Sequence, residues 1–133
     1  MLTTSNARPR PAGEKTWMPA GLRLLRPGQW TKSLLVLAAP FAGGVLSRDD
    51  VATRAVIAMV AFTLVAGAVY AANDVVDAES DRLHPAKRLR PVASGRISPR
   101  AALSVCAVCA VSGLALSAVL GWPTAAVVAG YAL

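Results

Sequence analysis

Apolar residues in this chain come in long uncharged blocks, not at the regular spacing of an amphipathic fold. Residues 55–72 are 18 residues without a charge, and residues 101–133 are a further 33. The hydrocarbon core of a bilayer, about 30 Å thick, needs about 20 apolar residues as a helix. The pattern predicts an all-α, polytopic transmembrane helical bundle, with spans at residues 30–46, 55–73, 101–120 and, incompletely, 124–133.

Turn and cap residues refine the predicted ends of these spans. Pro40 and the following glycine pair predict a kink late in the first span. The second helix should continue past the membrane to about residue 83, because Pro85 is the first residue that stops it. Ser98 and Pro99 predict the N-cap and first residue of the next helix. The last span has only about half the length of a bilayer crossing. We therefore expect a bundle truncated after about three and a half spans, the N-terminal part of a longer protein.

The net charge of +7 is distributed unevenly along the chain. Twelve of the fourteen Lys and Arg residues lie before residue 33 or within residues 82–100. This is the positive-inside pattern of a multi-pass plasma-membrane protein, so both basic segments are predicted to be cytoplasmic. Residues 1–29 are interpreted as a cytoplasmic tail with an interfacial segment, and residues 30–133 as the transmembrane domain. Since orientation accounts for the basic excess, no nucleic-acid partner is predicted.

Four of the seven carboxylates fall in one short stretch at the end of the second span. Charged groups beside a membrane are costly and indicate function. On an ideal helix Asp74, Asp77 and Asp81 project within about 60° of each other, with Asn73 beside them and Glu79 opposite. Such carboxylates can hold Mg²⁺ through one or two oxygens each, leaving other positions to water and substrate phosphates.

Basic side chains follow the aspartates directly. Lys87, Arg88 and Arg90 could supply cations for phosphate oxygens that the metal does not reach. Lys32, near the start of the first span, could either reach the headgroups or point inward at an anionic ligand. The lone His84 is interpreted as a polar loop residue, because Mg²⁺ prefers oxygen to imidazole. The alternative for the whole cluster is a solvated helix end whose acids and bases pair among themselves.

These residues resemble the UbiA superfamily of membrane prenyltransferases. Its first motif, N-D-x-x-D-x-x-x-D, is met from Asn73 to Asp81, and K-x-x-R-P is met from Lys87 to Pro91. The runs R-P-G-Q-W-T-K-S-L-L-V-L-A-A-P-F and D-A-E-S-D-R-L-H-P-A-K-R-L-R-P-V-A-S-G are similar to the decaprenyl-phosphate phosphoribosyltransferase branch. The resemblance implies nine helices, a site facing the cytoplasm and a second aspartate-rich motif. No acid follows residue 81, so the chain would cover about the first half of a member and be inactive alone.

The resemblance also implies roles for individual residues. Asp74 and Asp77 would bind Mg²⁺ at the donor's diphosphate, with Asp81 supporting the ion or a donor hydroxyl and Asn73 adding an amide contact. Lys87 and Arg90 would contact the diphosphate, and Lys32 would face a phosphate of the donor or the acceptor.

The implied reaction moves 5-phosphoribosyl from phosphoribosyl pyrophosphate, a diphosphate donor, to a polyprenyl (decaprenyl) phosphate, a lipid-phosphate acceptor, for cell-wall arabinan precursors. In other branches a prenyl group moves to an aromatic or haem acceptor. A second alternative is a non-catalytic membrane subunit whose basic loop binds anionic lipid.

Overall fold

Residues 19–132 are described by a computed structural model, and this part of the chain contains helices and turns but no strand. Two of its helices are long and apolar enough to cross a membrane. The predicted all-α fold is confirmed, whereas most of the predicted tail lies outside the described residues. The elements in order are α1 (Ala20–Leu24), a 3₁₀ segment (Pro27–Leu37), α2 (Ala38–Ala42), α3 (Asp49–Val76), α4 (Ala78–Leu83), a 3₁₀ turn (Lys87–Leu89), α5 (Pro99–Val119) and α6 (Trp122–Tyr131).

The first predicted span is not a continuous α-helix. Its first part is the 3₁₀ segment, which at about 2.0 Å per residue extends further than an α-helix with the same number of residues. The short α2 follows and ends at Gly43. There the Val45 and Gly44 amides donate to the Pro40 and Phe41 carbonyls, with Gly44 at φ 65°. This is a Schellman ending, which requires the left-handed conformation that glycine adopts freely. The glycine pair thus ends the helix where a kink was predicted.

Helices α3 and α5 form the central pair of the bundle and run antiparallel. Gly113 of α5 lies against Ala61 and Val65 of α3, and a Cβ there would meet the Val65 Cγ2 at 2.6 Å and the Ala61 carbonyl oxygen at 2.8 Å. At one end the Arg54 Nη2 donates to the Leu120 carbonyl at 2.8 Å, satisfying a terminal acceptor of α5. Small residues therefore set the close approach of these helices, as is common in membranes.

The opposite end of the α3–α5 pair carries a small buried core. Its fully buried members come from α1, α3, α4, α5 and the loop before α5: Leu24, Ala71, Ala78, Val92 and Ala102. The hydrogen bond from Ile97 N to Pro91 O closes this loop on itself, and the buried Val92 packs it into the core. Ser98 accepts from the Ala101 amide and Pro99 is the first residue of α5, so the predicted N-cap is confirmed.

The contact at Gly113 yields a test of the packing. Gly113→Ala should destabilise the protein by about 1–3 kcal/mol, because the added methyl meets backbone that cannot move aside. Gly130→Ala is the matched control, since a Cβ at that helical position meets nothing within 4 Å. The measurement is thermal unfolding in detergent of the complete natural protein. Equal stability of the two variants would contradict the close approach of α3 and α5.

Candidate active site

Two carboxylates are buried where α3 passes into α4. Asp74 lies in the last turn of α3 and Asp81 in α4, and the residues are 2% and 1% exposed. A buried carboxylate is costly unless it is paired and hydrogen-bonded. The partners of these two side chains therefore define the site.

Arg90 joins the two buried carboxylates. Its Nη1 lies 2.6 Å from the Asp81 Oδ2 and 3.5 Å from the Asp74 Oδ1. Arg90 is brought there by the loop that follows the short 3₁₀ turn, since the next residues, Pro91 to Ala93, are buried. The Arg82 Nε also donates to the Ala93 carbonyl at 3.3 Å, which ties α4 to the same loop. One nitrogen atom thus lies between two carboxylates.

Arg26 is the second partner of Asp74, from a part of the chain 48 residues away. Its Nη2 donates to the Asp74 Oδ1 at 2.6 Å, and its guanidinium carbon lies 4.9 Å from the centre of the Tyr70 ring. Stacking on an aromatic face adds a cation–π attraction to the ion pair. The sequence did not identify Arg26 as a site residue, although it begins one of the runs on which the branch resemblance depends.

The backbone around Arg26 is held in an unusual conformation. Arg26 has φ 48°, in the left-handed region that non-glycine residues adopt only at a cost of about 1–3 kcal/mol. Neighbouring contacts hold it there. Leu24 is fully buried, Leu25 packs on Gly67, and the Trp30 Nε1 donates to the Leu25 carbonyl at 3.0 Å. The segment before the 3₁₀ helix is therefore fixed to the end of α3.

The other predicted residues of the motif have different surroundings. Asp77 is the single residue between α3 and α4 and is exposed, as is Asn73. Asn73 lines a cavity of about 270 Å³ between α3, α5 and the end of α6. Glu79 is exposed, which agrees with its predicted exclusion from the cluster. The helical spacing does bring Asp74 and Asp81 to the same Arg90 nitrogen, since Asp77 keeps α-helical backbone angles, but the Asp77 side chain itself is exposed.

Among residues 19–132, the ion pairs of Asp74 and Asp81 are made with Arg26 and Arg90, and not with Lys32, Lys87 or His84. Lys32 is exposed and lines a groove of about 390 Å³, which Tyr70, Phe62 and Tyr131 also line. Tyr70 thus borders this groove and also contacts Arg26. Lys87 is exposed in the 3₁₀ turn, where its amide and the Ala86 amide donate to the His84 Nδ1 at 3.3 and 3.2 Å. His84 therefore has a structural contact that organises the turn.

The donor chemistry of this site suits a divalent cation such as Mg²⁺, which prefers carboxylate oxygens. Within residues 19–132 no three His, Cys, Asp or Glu side chains converge as a metal site. Two carboxylates, those of Asp74 and Asp81, do converge on the Arg90 Nη1. The oxygen ligands thus fit the ion, and a guanidinium group is their counter-ion in this structure.

A double-mutant cycle tests the Arg26–Asp74 pair. Arg26→Gln should destabilise the complete protein by about 1–3 kcal/mol, because a buried carboxylate loses a hydrogen-bonded cation. Arg48→Gln is the control, since its ion pair with Asp50 is exposed and worth about 0–1 kcal/mol. Adding Asp74→Asn to Arg26→Gln should recover part of the loss in thermal unfolding. Strictly additive effects of the two changes would contradict a direct pair.

Comparison with known proteins identifies the family. The sequence model of the UbiA prenyltransferase family matches residues 31–133. The chain is 40% identical over 118 residues to a decaprenyl-phosphate phosphoribosyltransferase of Mycolicibacterium smegmatis, covering 86% of this chain and 37% of that protein. It is 46% identical over 98 residues to the decaprenyl-phosphate phosphoribosyltransferase of Mycobacterium tuberculosis, covering 71% and 32%. It is 44% identical over 75 residues to a protoheme IX farnesyltransferase of Stutzerimonas stutzeri, covering 53% and 25%.

The chain spans about a third of the length of the phosphoribosyltransferases it matches, less than the half that its motifs suggested. The resemblance to the superfamily and to its phosphoribosyltransferase branch is confirmed by these identities. With two apolar helices long enough to cross a bilayer and the family match over residues 31–133, the chain belongs to the UbiA prenyltransferase family of integral membrane proteins.

Proposed function

We propose that the protein containing this chain transfers a 5-phosphoribosyl group from phosphoribosyl pyrophosphate to a polyprenyl phosphate. Decaprenyl phosphate is the proposed acceptor, and precursors of cell-wall arabinan are the proposed destination. The relatives that cover most of this chain carry the name decaprenyl-phosphate phosphoribosyltransferase. The observation that carries the proposal is the convergence of two arginines on the buried Asp74, beside Asp81.

This cluster suits a phosphorylated donor for a chemical reason. A guanidinium fork matches phosphate as well as it matches carboxylate, and both pairings are charge-assisted. Arg26 and Arg90 therefore form a cationic pair beside acidic oxygens, which is the combination that a metal–diphosphate substrate requires. Mg²⁺ would be held by Asp74, Asp77 and Asp81, and when bound it would neutralise the leaving diphosphate as a Lewis acid.

The residues of this chain would bind and orient the donor. Lys87 and Arg90 would contact the diphosphate, Asn73 would add an amide contact, and Lys32 would contact a phosphate of donor or acceptor. In the reaction the bond between the ribose carbon and the diphosphate oxygen breaks, and both its electrons leave with the diphosphate. An oxygen of the lipid phosphate then forms the new bond to that carbon. Cations fixed around the leaving group lower this barrier because they need no reorganisation.

The groove beside Tyr70 fits a membrane-bound acceptor. It is lined mostly by apolar side chains and has Lys32 among them. A lipid phosphate approaching there would place its chain along apolar surface and its charge toward the Arg26 side of Tyr70. The basic segments support an orientation with residues 82–100 and the N-terminus in the cytoplasm.

A prenyltransferase acting on an aromatic or haem acceptor is the second candidate. The observation that favours it is the 44% identity to a protoheme IX farnesyltransferase. In that reaction the diphosphate leaves a prenyl chain, so the aspartates and arginines would have the same task. The match extends over 75 residues, against 118 for a phosphoribosyltransferase, and the phosphoribosyl donor is therefore preferred.

A non-catalytic subunit whose basic loop binds anionic lipid is the third candidate. Juxtamembrane clusters of Lys and Arg commonly bind such lipids. Arg90 argues against this role for the loop, because its guanidinium is already paired with the carboxylates of Asp74 and Asp81.

Replacement of the aspartates tests catalysis. Asp74→Asn and Asp77→Asn should each lower Mg²⁺-dependent transfer by at least about 100-fold, because each removes a charge next to the leaving group. Glu79→Gln is the matched control, since Glu79 is an exposed carboxylate in the adjacent helix α4. Turnover is followed as radiolabelled lipid product formed by the complete protein in detergent. Wild-type rates in both aspartate variants would exclude a catalytic role.

Donor choice needs its own measurement. The complete protein should form product from phosphoribosyl pyrophosphate and decaprenyl phosphate, and none from a prenyl diphosphate with an aromatic acid or haem. Product from a prenyl donor alone would replace the first candidate by the second. Absence of product from every pair, with anionic-lipid binding lost on neutralising the loop, would favour the third.

A further inference from the structure

Arg90 has two tasks that cannot be performed at the same time. In this structure its Nη1 contacts both Asp81 and Asp74, at 2.6 and 3.5 Å. The proposed function, on which the following inference rests, requires the same guanidinium at a diphosphate and the same carboxylates at a metal ion. The side chain is 25% exposed, so it has an open side from which a ligand can approach.

We propose that Arg90 is an exchangeable counter-ion that couples the binding of metal and diphosphate. Without donor, its guanidinium stands in for the cation between Asp74 and Asp81. When a metal–diphosphate complex binds, Arg90 transfers from carboxylate to phosphate oxygens and leaves the carboxylates to the metal. Each charged group then changes one ionic partner for another, and no buried charge is left without a partner.

The exchange is unfavourable for a metal ion arriving alone. The ion would displace Arg90 from two buried carboxylates and offer the guanidinium no anion in return. Arg26 does not relieve this competition, because it is anchored on Tyr70 as well as on Asp74. The inference is that metal and diphosphate bind with positive coupling, and that Arg90 is a positioning residue that produces this coupling.

Arg90 has features that allow the exchange. It follows the 3₁₀ turn Lys87–Leu89, whose residues are exposed, while the buried Val92 anchors the loop two residues later. A rotation of the side chain alone can thus move the guanidinium, while the backbone position stays fixed. The neighbouring phosphate contacts proposed for Lys87 lie on the exposed side of the same turn.

Metal binding without turnover tests the inference. Mn²⁺ binding to the complete protein in detergent is measured from the electron paramagnetic resonance of free Mn²⁺, first alone and then with inorganic pyrophosphate. A protein-free titration corrects for the Mn²⁺ that pyrophosphate itself holds. The affinity of the wild type for Mn²⁺ should rise when pyrophosphate is present.

Arg90→Gln should change the affinity for Mn²⁺ alone and the enhancement of that affinity by pyrophosphate in opposite directions. The affinity for Mn²⁺ alone should rise about tenfold, because the competing cation is gone, and the enhancement by pyrophosphate should fall about tenfold. A residue that contacts only diphosphate would lower the enhancement by pyrophosphate without raising the affinity for Mn²⁺ alone. A residue that only supports the fold would lower both the enhancement and the affinity.

Two further variants complete the design. Arg96→Gln removes an exposed cation from the same loop and should change either affinity by less than about twofold, because exposed charges are screened. Arg90→Lys keeps one cation without the fork, so its affinity for Mn²⁺ alone should lie between wild type and Arg90→Gln. If Arg90→Gln does not fold, Arg90→Lys decides on the same measurement.

An unchanged or lower affinity for Mn²⁺ alone in the folded Arg90 variants overturns the inference. This outcome is independent of the substrate question. Failure of the wild type to use phosphoribosyl pyrophosphate would overturn the proposed donor, while a raised Mn²⁺ affinity in Arg90→Gln would still establish the counter-ion.

Discussion

The burial of Asp74 and Asp81 beside two guanidinium groups is the interaction on which this end of the bundle depends. A carboxylate that is 2% exposed has lost most of its hydration, and a paired cation must replace it. The cations come from segments far apart in the sequence, Arg26 before the first predicted span and Arg90 between the second and third. Forming the ion pairs therefore fixes the segment around Arg26 and the loop around Arg90 against α3 and α4. The apolar contacts of Leu24 and Val92 in the shared core act in the same direction.

The apolar helices and the charged cluster are parts of one element. Helix α3 begins at Asp49, crosses its apolar stretch against α5, and ends at Val76, two residues beyond Asp74. Its position along α5 is fixed by the contact at Gly113, where only a glycine fits against the Ala61 carbonyl. Because a helix is stiff along its axis, this apolar contact also fixes the height of the carboxylates relative to the loop. The packing of α3 against α5 thus positions the buried carboxylates.

What could be predicted from the sequence followed from local rules. Ser98 and Pro99 form the start of α5, and residues 43–44 form the end of α2, through contacts with residues close in sequence. No distant partner was therefore needed to predict these two helix ends. Helix spacing also placed Asp74 and Asp81 on one face, and both do meet Arg90, whereas the exposure of Asp77 depends on which distant segments cover that face. The 3₁₀ form of Pro27–Leu37 carried no periodic signal that distinguishes it from an α-helix. Arg26 was not identified because its ion pair joins residues 48 positions apart, and no spacing rule extends so far.

The two interpretations of the acidic and basic cluster that the sequence left open are not exclusive. Acids and bases do pair among themselves at Asp74 and Asp81, yet both carboxylates are buried, so this is not a solvated helix end. Arginine is suited to both situations because its planar fork binds carboxylate and phosphate with the same geometry. A lysine would be a point charge with a hydration shell to lose at each change of partner. Arg at position 90 is therefore compatible with the proposed exchange, in which the guanidinium passes from carboxylate to phosphate oxygens without loss of a paired partner, while Arg26 keeps its contact with Asp74.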